Sequence, residues 1–489
     1  MTVQETAQKD PKSLIGRAFA FAKKAHSSQK RENGEPFFNH ALMTAEFLDQ
    51  WHLDETTIAA GLLHDVPQTT KISVSEIEKE FGREVAFLLD GLIKLSLVKY
   101  KNTATKIENL RKMILALSGD LRIVFIKLAN RLHNLKTIEG IPESKWKYFA
   151  LETNEIYAPL AYQIGMQNLS GQLYDLCFPI LHPKEYEWLT ENVKEQYEAR
   201  HEYLKRIKPV LENTLKENGL VPLFIDFRAK RYSSLYFKLR EYNMDLERIY
   251  DLVTTWIVFK DVKDCYEALG VIHQTWPPLP GRIKDYIASP KPNGYRSLHT
   301  TVVGPEGKHI EIQIHTEKMH EENKNGLAAH WLYKQKIQKE APSKKSLKNI
   351  LEEVGLLKYL RRWENNKLDP ALSYQEFIEA MKIDFFNNRL FVITPKGDVI
   401  DLPKGSTPVD FAYSIHTVIG ETAFKAKING ALKSLDVELK SGDVIEILTQ
   451  KNRKPQARWL TFVKTAHARE HIRNAIHKKK EQFEKLLIA

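Results

Sequence analysis

The chain has 489 residues, 43% of them apolar, a net charge of +11 and an isoelectric point near 9.2. That length is too great for a single core and predicts about three domains. No apolar run approaches the ~20 residues of a membrane-spanning helix. The polar start MTVQETAQKDPK has no signal-peptide core, and two distant cysteines, Cys177 and Cys265, frame neither a disulfide scaffold nor a zinc site.

A membrane role is therefore excluded, and a reducing cytoplasm is the expected compartment. The basic surplus favours anionic partners such as nucleotides or RNA, although a solvated mixed-charge surface accounts for it as well.

The first part, to about residue 215, reads as all helix. SLIGRAFAFAKKAH, ALMTAEFLDQWH, TTIAAGLLHDV and SVSEIEKEFGREVAFLLDGLIKL carry apolar residues at helical spacing. In the last of these, serines followed by Glu76 predict an N-cap and capping box. DLRIVFIKLANRLHNLKTI (120–138) is apolar on most sides and predicts a buried helix.

Near residue 220 the pattern changes. LFIDFRAKRYSSLYFKLREY, RIYDLVTTWIVF, SLHTTVVG and HIEIQIHTE bring alternation and β-branched residues, with helical stretches such as DVKDCYEALGVIHQTW between them. This predicts an α+β domain with a mixed or antiparallel sheet. APSKKS (341–346) reads as a linker, followed by an amphipathic helix. From about 384 the order strand, turn, strand, helix, further strands suggests a small β-grasp unit. WLTFVKTAHAREHIRNAIHKKKEQFEKLL reads as a basic helical tail. There is no internal repeat.

Within GLLHDVPQTT (61–70), His64 and Asp65 offer an imidazole and a carboxylate on neighbouring residues, a pair suited to a divalent metal. Hydrolysis at such a centre usually needs further carboxylate, yet Pro67, Gln68, Thr69 and Thr70 follow, and none ionises near neutral pH. In HIEIQIHT (309–316), Ile310, Ile312 and Ile314 share one face, with Glu311, Gln313 and His315 on the other. No Walker A sequence is present, which argues against a P-loop NTPase.

Three groups of motifs together resemble the long RelA/SpoT homologues, which make and degrade the alarmone (p)ppGpp. They are His40 with LLHD and NRLHNLKT; GRIKDYIASPKPNGYRSLHTTVVGPEG with EIQIHT; and TPKGDVIDLPKGSTPVDFAYSIHT. The resemblance covers nearly the whole chain. It implies an all-α HD hydrolase-like domain (1–165), a helical linker (166–215) and an α+β, nucleotidyltransferase-like synthetase domain (216–340). A linker helix (341–383), a β-grasp TGS domain (384–449) and the basic tail (450–489) follow. A chain ending there is expected to lack the family's further regulatory domains.

For the HD domain the resemblance implies a manganese-type site of His40, His64, Asp65 and position 130. That position is Asn130 where the family has aspartate, and an amide oxygen is a weaker, neutral ligand. Gln68 and Thr69 stand where the family has a Glu–Asp pair, and neither accepts a proton at neutral pH. Arg31, Asn134 and Thr137 match retained pocket residues. Core histidines without metal are the alternative for His40 and His64. Hydrolysis is expected to be poor or absent.

For the synthetase the resemblance implies transfer of pyrophosphate from ATP to the 3′-hydroxyl of GDP or GTP with Mg²⁺. Glu311 matches the catalytic glutamate, as base and metal contact, and Asp251 the magnesium aspartate. Arg228, Lys230, Lys238, Lys284 and Lys291 match phosphate-binding cations. Asn293 and Tyr295 would hold the acceptor guanine, with Gly294 allowing the turn; His299 and Gln313 complete the nucleotide-binding set. RIKD (282–285) is the basic form of a motif whose acidic form marks the synthetase-only branch.

The chain departs from the family at Phe227 for glycine, Ser233 for tyrosine, and Trp256 and His315 for arginines, which weakens phosphate neutralisation. Trp256, five residues from Asp251, is expected on the opposite face of a regular strand, as a packing exchange. His416 matches a TGS histidine that contacts the 3′ end of tRNA in ribosome-associated relatives, and helix capping is its alternative. Three functions remain open: synthetase with a decayed hydrolase domain, non-catalytic nucleotide-binding and RNA-docking regulator, and atypical hydrolase.

Overall fold

The computed structural model describes residues 2–96, 120–246, 249, 252–291, 293–326, 389–395, 399–440, 442–451, 453–465 and 467–476. Asp251, the linker segment 341–383 and the basic cluster 477–480 lie outside the described residues. The chain forms two compact units, with the described residues up to 326 in one and those from 389 in the other.

Up to residue 217 the described secondary structure is helical. Helices α1 to α7 run Val3–Lys9, Leu14–Ala25, Phe37–Gln50, Glu55–Leu63, Val66–Thr69, Val74–Phe81 and Arg83–Ser96. Helices α8 to α12 are Leu121–Lys136, Trp146–Glu152, Ala158–Gln163, Gln167–Leu181 and Pro183–Glu217. The predicted capping box is present: Ser73 accepts from the Glu76 N–H while Glu76 reaches back to the Ser73 N–H. Helix α8 is buried nearly all round. Its partly buried stripe, Lys127, Asn130 and Asn134, follows the i, i+3, i+7 spacing of one helix face.

The second half of this unit is a five-stranded mixed sheet. Its strands are β1 (Phe224–Ala229), β2 (Val253–Phe259), β3 (Lys284–Asp285), β4 (Leu298–Val303) and β5 (His309–Thr316). They lie in the order β1-β2-β5-β4-β3, and only β2 and β5 run parallel. Helices α13 (Tyr232–Glu241), α14 (Val262–Thr275) and α15 (Glu317–Asn325) complete it. The isoleucines of β5 join Ile257, Phe259 and Ile272 in one buried core, and α12 adds Tyr203, Leu204, Ile207, Leu211 and Leu215. The later part of the segment read as a helical linker thus packs against the sheet.

The stretch RYSSLYFKLREY, read with the strands, is largely helical. Leu235, Tyr236 and Leu239 recur at i, i+1, i+4 and are buried together in α13, so helical period outweighs the local β propensity.

The second unit has strands β6 (Arg389–Ile393) and β7 (Val399–Pro403), helices α16 (Pro408–Ile415) and α17 (Thr417–Thr422), and strands β8 (Ala423–Ile428), β9 (Ala431–Lys433) and β10 (Ile445–Thr449). β6 pairs with β7, β8 lies between β10 and β9, and a bridge from Ile393 to Val444 joins the two sheets. This is the β-grasp order expected from the sequence. The residues that follow, read as a basic helical tail, pack into this unit as far as Ile476. Trp459, Val463, Ala468 and Ile472 are buried in the same core, because they supply the apolar cover that the small sheet lacks.

Asp410 fastens that cover. It is fully buried and accepts five hydrogen bonds: from the Thr407 N–H and hydroxyl at 2.9 Å each, and from the Lys464 N–H, Thr465 N–H and Thr465 hydroxyl at 2.7–2.9 Å. Asp410→Ala would orphan these donors. It is expected to destabilise this unit by ~3 kcal/mol, read in denaturant unfolding of the full chain followed by Trp459 fluorescence.

Candidate active sites

In the helical domain, α3, α4 and α8 bring the first set of residues together. His64 ends α4, and its Nδ1 donates to the Gly61 carbonyl at 2.7 Å. A carbonyl only accepts, so in the neutral ring Nε2 carries the lone pair. His64 Nε2 and His40 Nε2 lie 3.2 and 3.4 Å from Asp65 Oδ2. Burial holds His40 well below the ordinary imidazole range. Asp65 is held below the usual carboxylate range: burial opposes its charge, and the adjacent His64 and His40 outweigh that.

The ligand atoms of His40, His64 and Asp65 all lie within 4.8 Å of one another. Two imidazoles and a carboxylate in that space fit a divalent ion. Position 130 does not complete the set. Asn130 Nδ2 donates to His64 Nε2 at 2.6 Å, and Asn130 Oδ1 accepts from Asn134 at 2.9 Å. Arg31 continues the ladder, donating to Asn134 Oδ1 at 2.9 Å and Thr137 Oγ1 at 2.6 Å. A Cβ on Gly140 would lie 2.4 Å from the Arg31 Cζ, so a glycine there makes room for the guanidinium.

These residues line a cleft of about 310 Å³ together with Gln68 and Lys127. The Thr69 hydroxyl donates to the Asp65 carbonyl at 2.8 Å, so main chain occupies it. Two residues escaped the sequence reading. His133 lies 2.8 Å from His40, Nδ1 to Nδ1, and orients that ring from behind. Lys127 is pushed down to about 8 by burial and by Arg131. Both follow from helical spacing on either side of Asn130.

The second constellation lies on one face of the mixed sheet. Register places Asp226, Trp256, Gln313, His299 and Lys284 in one row across it. Arg228, Thr254, Glu311 and Thr301 form the next row. Glu311 therefore stands on the central strand, partly exposed. Arg228 lies toward the β1 edge and Lys284 at the β3 edge. Gln313 Oε1 accepts from Trp256 Nε1 at 3.1 Å and from the Tyr295 hydroxyl at 3.3 Å. The Tyr295 oxygen also lies 2.8 Å from His299 Nε2.

Asn293 to Tyr295 form the turn before β4. Gly294 has φ +80°, a conformation that favours glycine. Tyr295 is buried, and the Lys291 ammonium lies 4.9 Å from its ring centre and 4.7 Å from that of Tyr286. Burial, with Lys284 nearby, pushes Lys291 down to about 8. His299 is pushed down to about 3 by burial and by Lys291. Lys230 is fixed by its main chain: its N–H donates to the Leu252 carbonyl at 2.8 Å and its carbonyl accepts from the Tyr197 hydroxyl at 2.5 Å. Lys238 is partly buried on α13.

The family departures fall in two places. Phe227 packs on the core side of the sheet, edge-on to His201, and Ser233 binds Asp175; neither shares the sheet face of Glu311 and Gln313. Trp256 does share the face of Gln313, and the Arg228 guanidinium lies 5.2 Å from its ring centre. It therefore lies on the polar face of the sheet and is not a core packing exchange. His315 is buried, which corrects its expected place on an open polar face: α15 covers it, and its Nε2 lies 2.9 Å from His320 Nδ1. Trp256, His315 and His320 form one ring cluster, so both replaced arginines map to one spot.

In the β-grasp unit His416 ends α16 and caps α17, with Nδ1 accepting from the Val418 N–H at 3.2 Å. Its ring is exposed. Lys425 and Arg453 lie over the exposed Phe424 ring nearby in sequence and sheet.

The described residues thus hold a helical domain with a His–His–Asp cluster, a mixed-sheet domain with one charged, polar face and a β-grasp unit. Family models agree: the HD domain matches residues 18–167, the region found in RelA / SpoT proteins 227–338, and the TGS domain 390–449. A GTP pyrophosphokinase of Myxococcus xanthus is 40% identical over 480 residues, 97% of this chain and 61% of that protein. A guanosine-3′,5′-bis(diphosphate) 3′-pyrophosphohydrolase of Aquifex aeolicus is 41% identical over 469 residues, 96% of this chain and 65% of that protein. The small alarmone synthetase 2 of Bacillus subtilis is 24% identical, with 36% of this chain and 98% of that one covered and a TM-score of 0.24. The chain belongs to the RelA/SpoT family. It spans about 61–65% of the length of these two curated relatives. No described helix is long and apolar enough to cross a membrane.

The Asn130 geometry makes a specific claim about metal. Asn130→Asp replaces a donor aimed at His64 Nε2 with a carboxylate, and is expected to tighten Mn²⁺ binding about tenfold or more. Titration followed by electron paramagnetic resonance of free Mn²⁺ measures it. Unchanged affinity would show that position 130 lies outside the coordination sphere.

Proposed function

We propose that the chain transfers pyrophosphate from ATP to the 3′-hydroxyl of GDP or GTP, and that its HD domain holds nucleotide with little hydrolysis. The observation that carries the synthetase reading is the pair of rows on the sheet face. A carboxylate, Glu311, stands on the central strand, with cations at both edges and an aromatic-lined turn beside it.

Glu311 accepts the proton of the acceptor 3′-hydroxyl as its oxygen bonds to the β-phosphorus of ATP, while the bond between that phosphorus and the α-phosphate oxygen breaks and AMP leaves. Arg228, Lys230 and Lys238, on the β1 side, take the donor triphosphate. Asn293, Tyr295 and His299 hold the acceptor base, and Lys284 and Lys291 its phosphates. Gln313 fixes Tyr295 and Trp256 relative to one another. Glu311 and Asp251 would hold Mg²⁺, which supplies charge neutralisation on the phosphates.

In the HD domain, His40, His64 and Asp65 would hold Mn²⁺, which supplies a polarised water. The chain's own residues then fall short. Gln68 lines the cleft without a group that accepts a proton, the Thr69 hydroxyl is bound to main chain, and Asn130 donates where a carboxylate is needed. Arg31 and Asn134 remain arranged to hold a nucleotide. A regulator without synthesis is the second reading, favoured by the ring cluster of Trp256, His315 and His320 where the family carries arginines. In either case the TGS unit docks on RNA through exposed groups beside His416, whose Nε2 is left for the contact while Nδ1 caps α17.

Thin-layer chromatography of the purified protein with labelled ATP and GDP or GTP, then with labelled ppGpp, tests the proposal. Synthesis with negligible pyrophosphate release from ppGpp is expected. No product across Mg²⁺ and Mn²⁺ and both acceptors selects the regulator, and release at ordinary enzyme turnover overturns the HD assignment. Glu311→Gln keeps the shape and removes the base, and is expected to cost about 10²-fold or more in kcat. An unchanged rate removes Glu311 from the mechanism.

Lys291 adds a pH dependence. Its lowered value of about 8 means that it is charged below that pH and neutral above it. Acceptor kcat/KM is expected to fall as pH rises through about 8 in the wild type. In Lys291→Arg, which stays charged, that limb should flatten.

A further inference from the structure

Helix α13 begins directly after the Arg228–Lys230 segment and carries Lys238, but its N-terminus lacks a cap of its own. The N-cap residue is Arg231, whose side chain has no acceptor and makes no cap hydrogen bond. The missing acceptor comes from α11, more than fifty residues earlier in the chain and outside the sheet. Asp175 Oδ1 accepts from the Ser233 N–H at 3.1 Å and from the Ser233 hydroxyl at 2.6 Å. Its other oxygen lies 3.3 Å from Arg231 Nη1. Arg231 Nη2 donates to Asn168 Oδ1 at 2.6 Å and to the Asn168 carbonyl at 3.3 Å. The Arg231 stem crosses Gly171 so closely that a Cβ there would lie 2.5 Å from Nε.

The contact has two physical effects. A carboxylate at a helix N-terminus satisfies orphan N–H groups and meets the positive end of the helix dipole. It also balances Arg231, which stands three residues from Arg228. Burial and Arg231 both push Arg228 below its ordinary value, and Asp175 opposes them. The turn before β4 is tied to the helical part separately: Asn293 Nδ2 donates to the Tyr162 carbonyl at 3.3 Å.

We propose that Asp175 is a positioning residue of the synthetase site: by capping α13 from α11 and neutralising Arg231, it holds Arg228, Lys230 and Lys238 in place for the donor triphosphate. This rests on the synthetase reading above. It extends the functional site beyond the sheet domain to a helix on the HD side. It also gives Ser233, a departure from the family tyrosine, a definite partner.

The test uses the full chain. Asp175→Ala is expected to weaken ATP binding about tenfold, or ~1.4 kcal/mol, while the acceptor KM stays within about twofold. Asp175→Asn keeps an oxygen for Ser233 and loses the charge, so an intermediate loss of about threefold is expected, with the melting temperature preserved. Arg231→Ala added to Asp175→Ala should cost nothing further, since the two act as one unit. A purely structural role would lower melting temperature and kcat together and leave ATP KM unchanged, and that result overturns the proposal. So does an equal loss for donor and acceptor.

Calorimetry with a non-hydrolysable ATP analogue separates this inference from the function it rests on. A wild type that binds the analogue without making product refutes the synthesis, and the Asp175 variants still decide the positioning role. A wild type that neither binds nor turns over ATP refutes both.

Discussion

Strand β5 has one face that must be buried and one that must stay polar, and the sheet domain is organised around that requirement. Ile310, Ile312 and Ile314 give the core its centre, and α12 and α14 close over them. With that face fixed, the two-residue period leaves Glu311 and Gln313 no choice of side. The neighbouring strands follow by register, so Arg228, Trp256 and His299 are delivered to the same face from segments far apart in sequence. A one-residue slip of β5 would bury Glu311 and expose the isoleucines, so the charged site is held in place by apolar packing behind it.

The HD cluster shows the converse, a polar site held by its own hydrogen bonds. Arg31, Asn134, Asn130 and His64 form a continuous chain, each link between 2.6 and 2.9 Å. In a partly dry cleft such a chain is worth keeping, because each member would otherwise leave a neighbour unsatisfied. An asparagine can join it on both sides, donating to one partner and accepting from another. An aspartate at that position would accept only. Asn130 therefore links His64 to Asn134 within the pocket by donating to one and accepting from the other, which a carboxylate there would not do.

The two halves of the first unit meet at closely packed backbone. Gly165 and Gly326 both have positive φ, and a Cβ on Gly326 would lie 2.4 Å from the Gly165 carbonyl carbon. Helix α11 leaves that contact and runs to the N-terminus of α13. Its neighbours on the other side include α8, which carries Asn130 and Asn134. The close backbone contact lies just before α11, and the polar ties to Arg231 and Ser233 follow at its first turn and its middle, through Asn168 and Asp175.

Much of this was legible along the chain. Apolar period gave the helices of the first part and the two faces of HIEIQIHT, and HD, KPNGYRSLH and the TGS stretch marked the candidate sites. Those signals are local: they need only spacing, composition and turn residues such as Gly294. Partnerships across the chain were decided by tertiary structure. Nothing in RLHN says that His133 backs His40, and nothing in TTWIVF says that Trp256 meets Gln313. The serine after KRY carries no sign that an aspartate 58 residues earlier caps its helix. The apolar residues 459–472, read as tail, became core only because a small β-grasp sheet needed covering. A hydrogen bond or a buried contact is fixed by which elements pack together and in what register, and one-dimensional spacing does not contain that information.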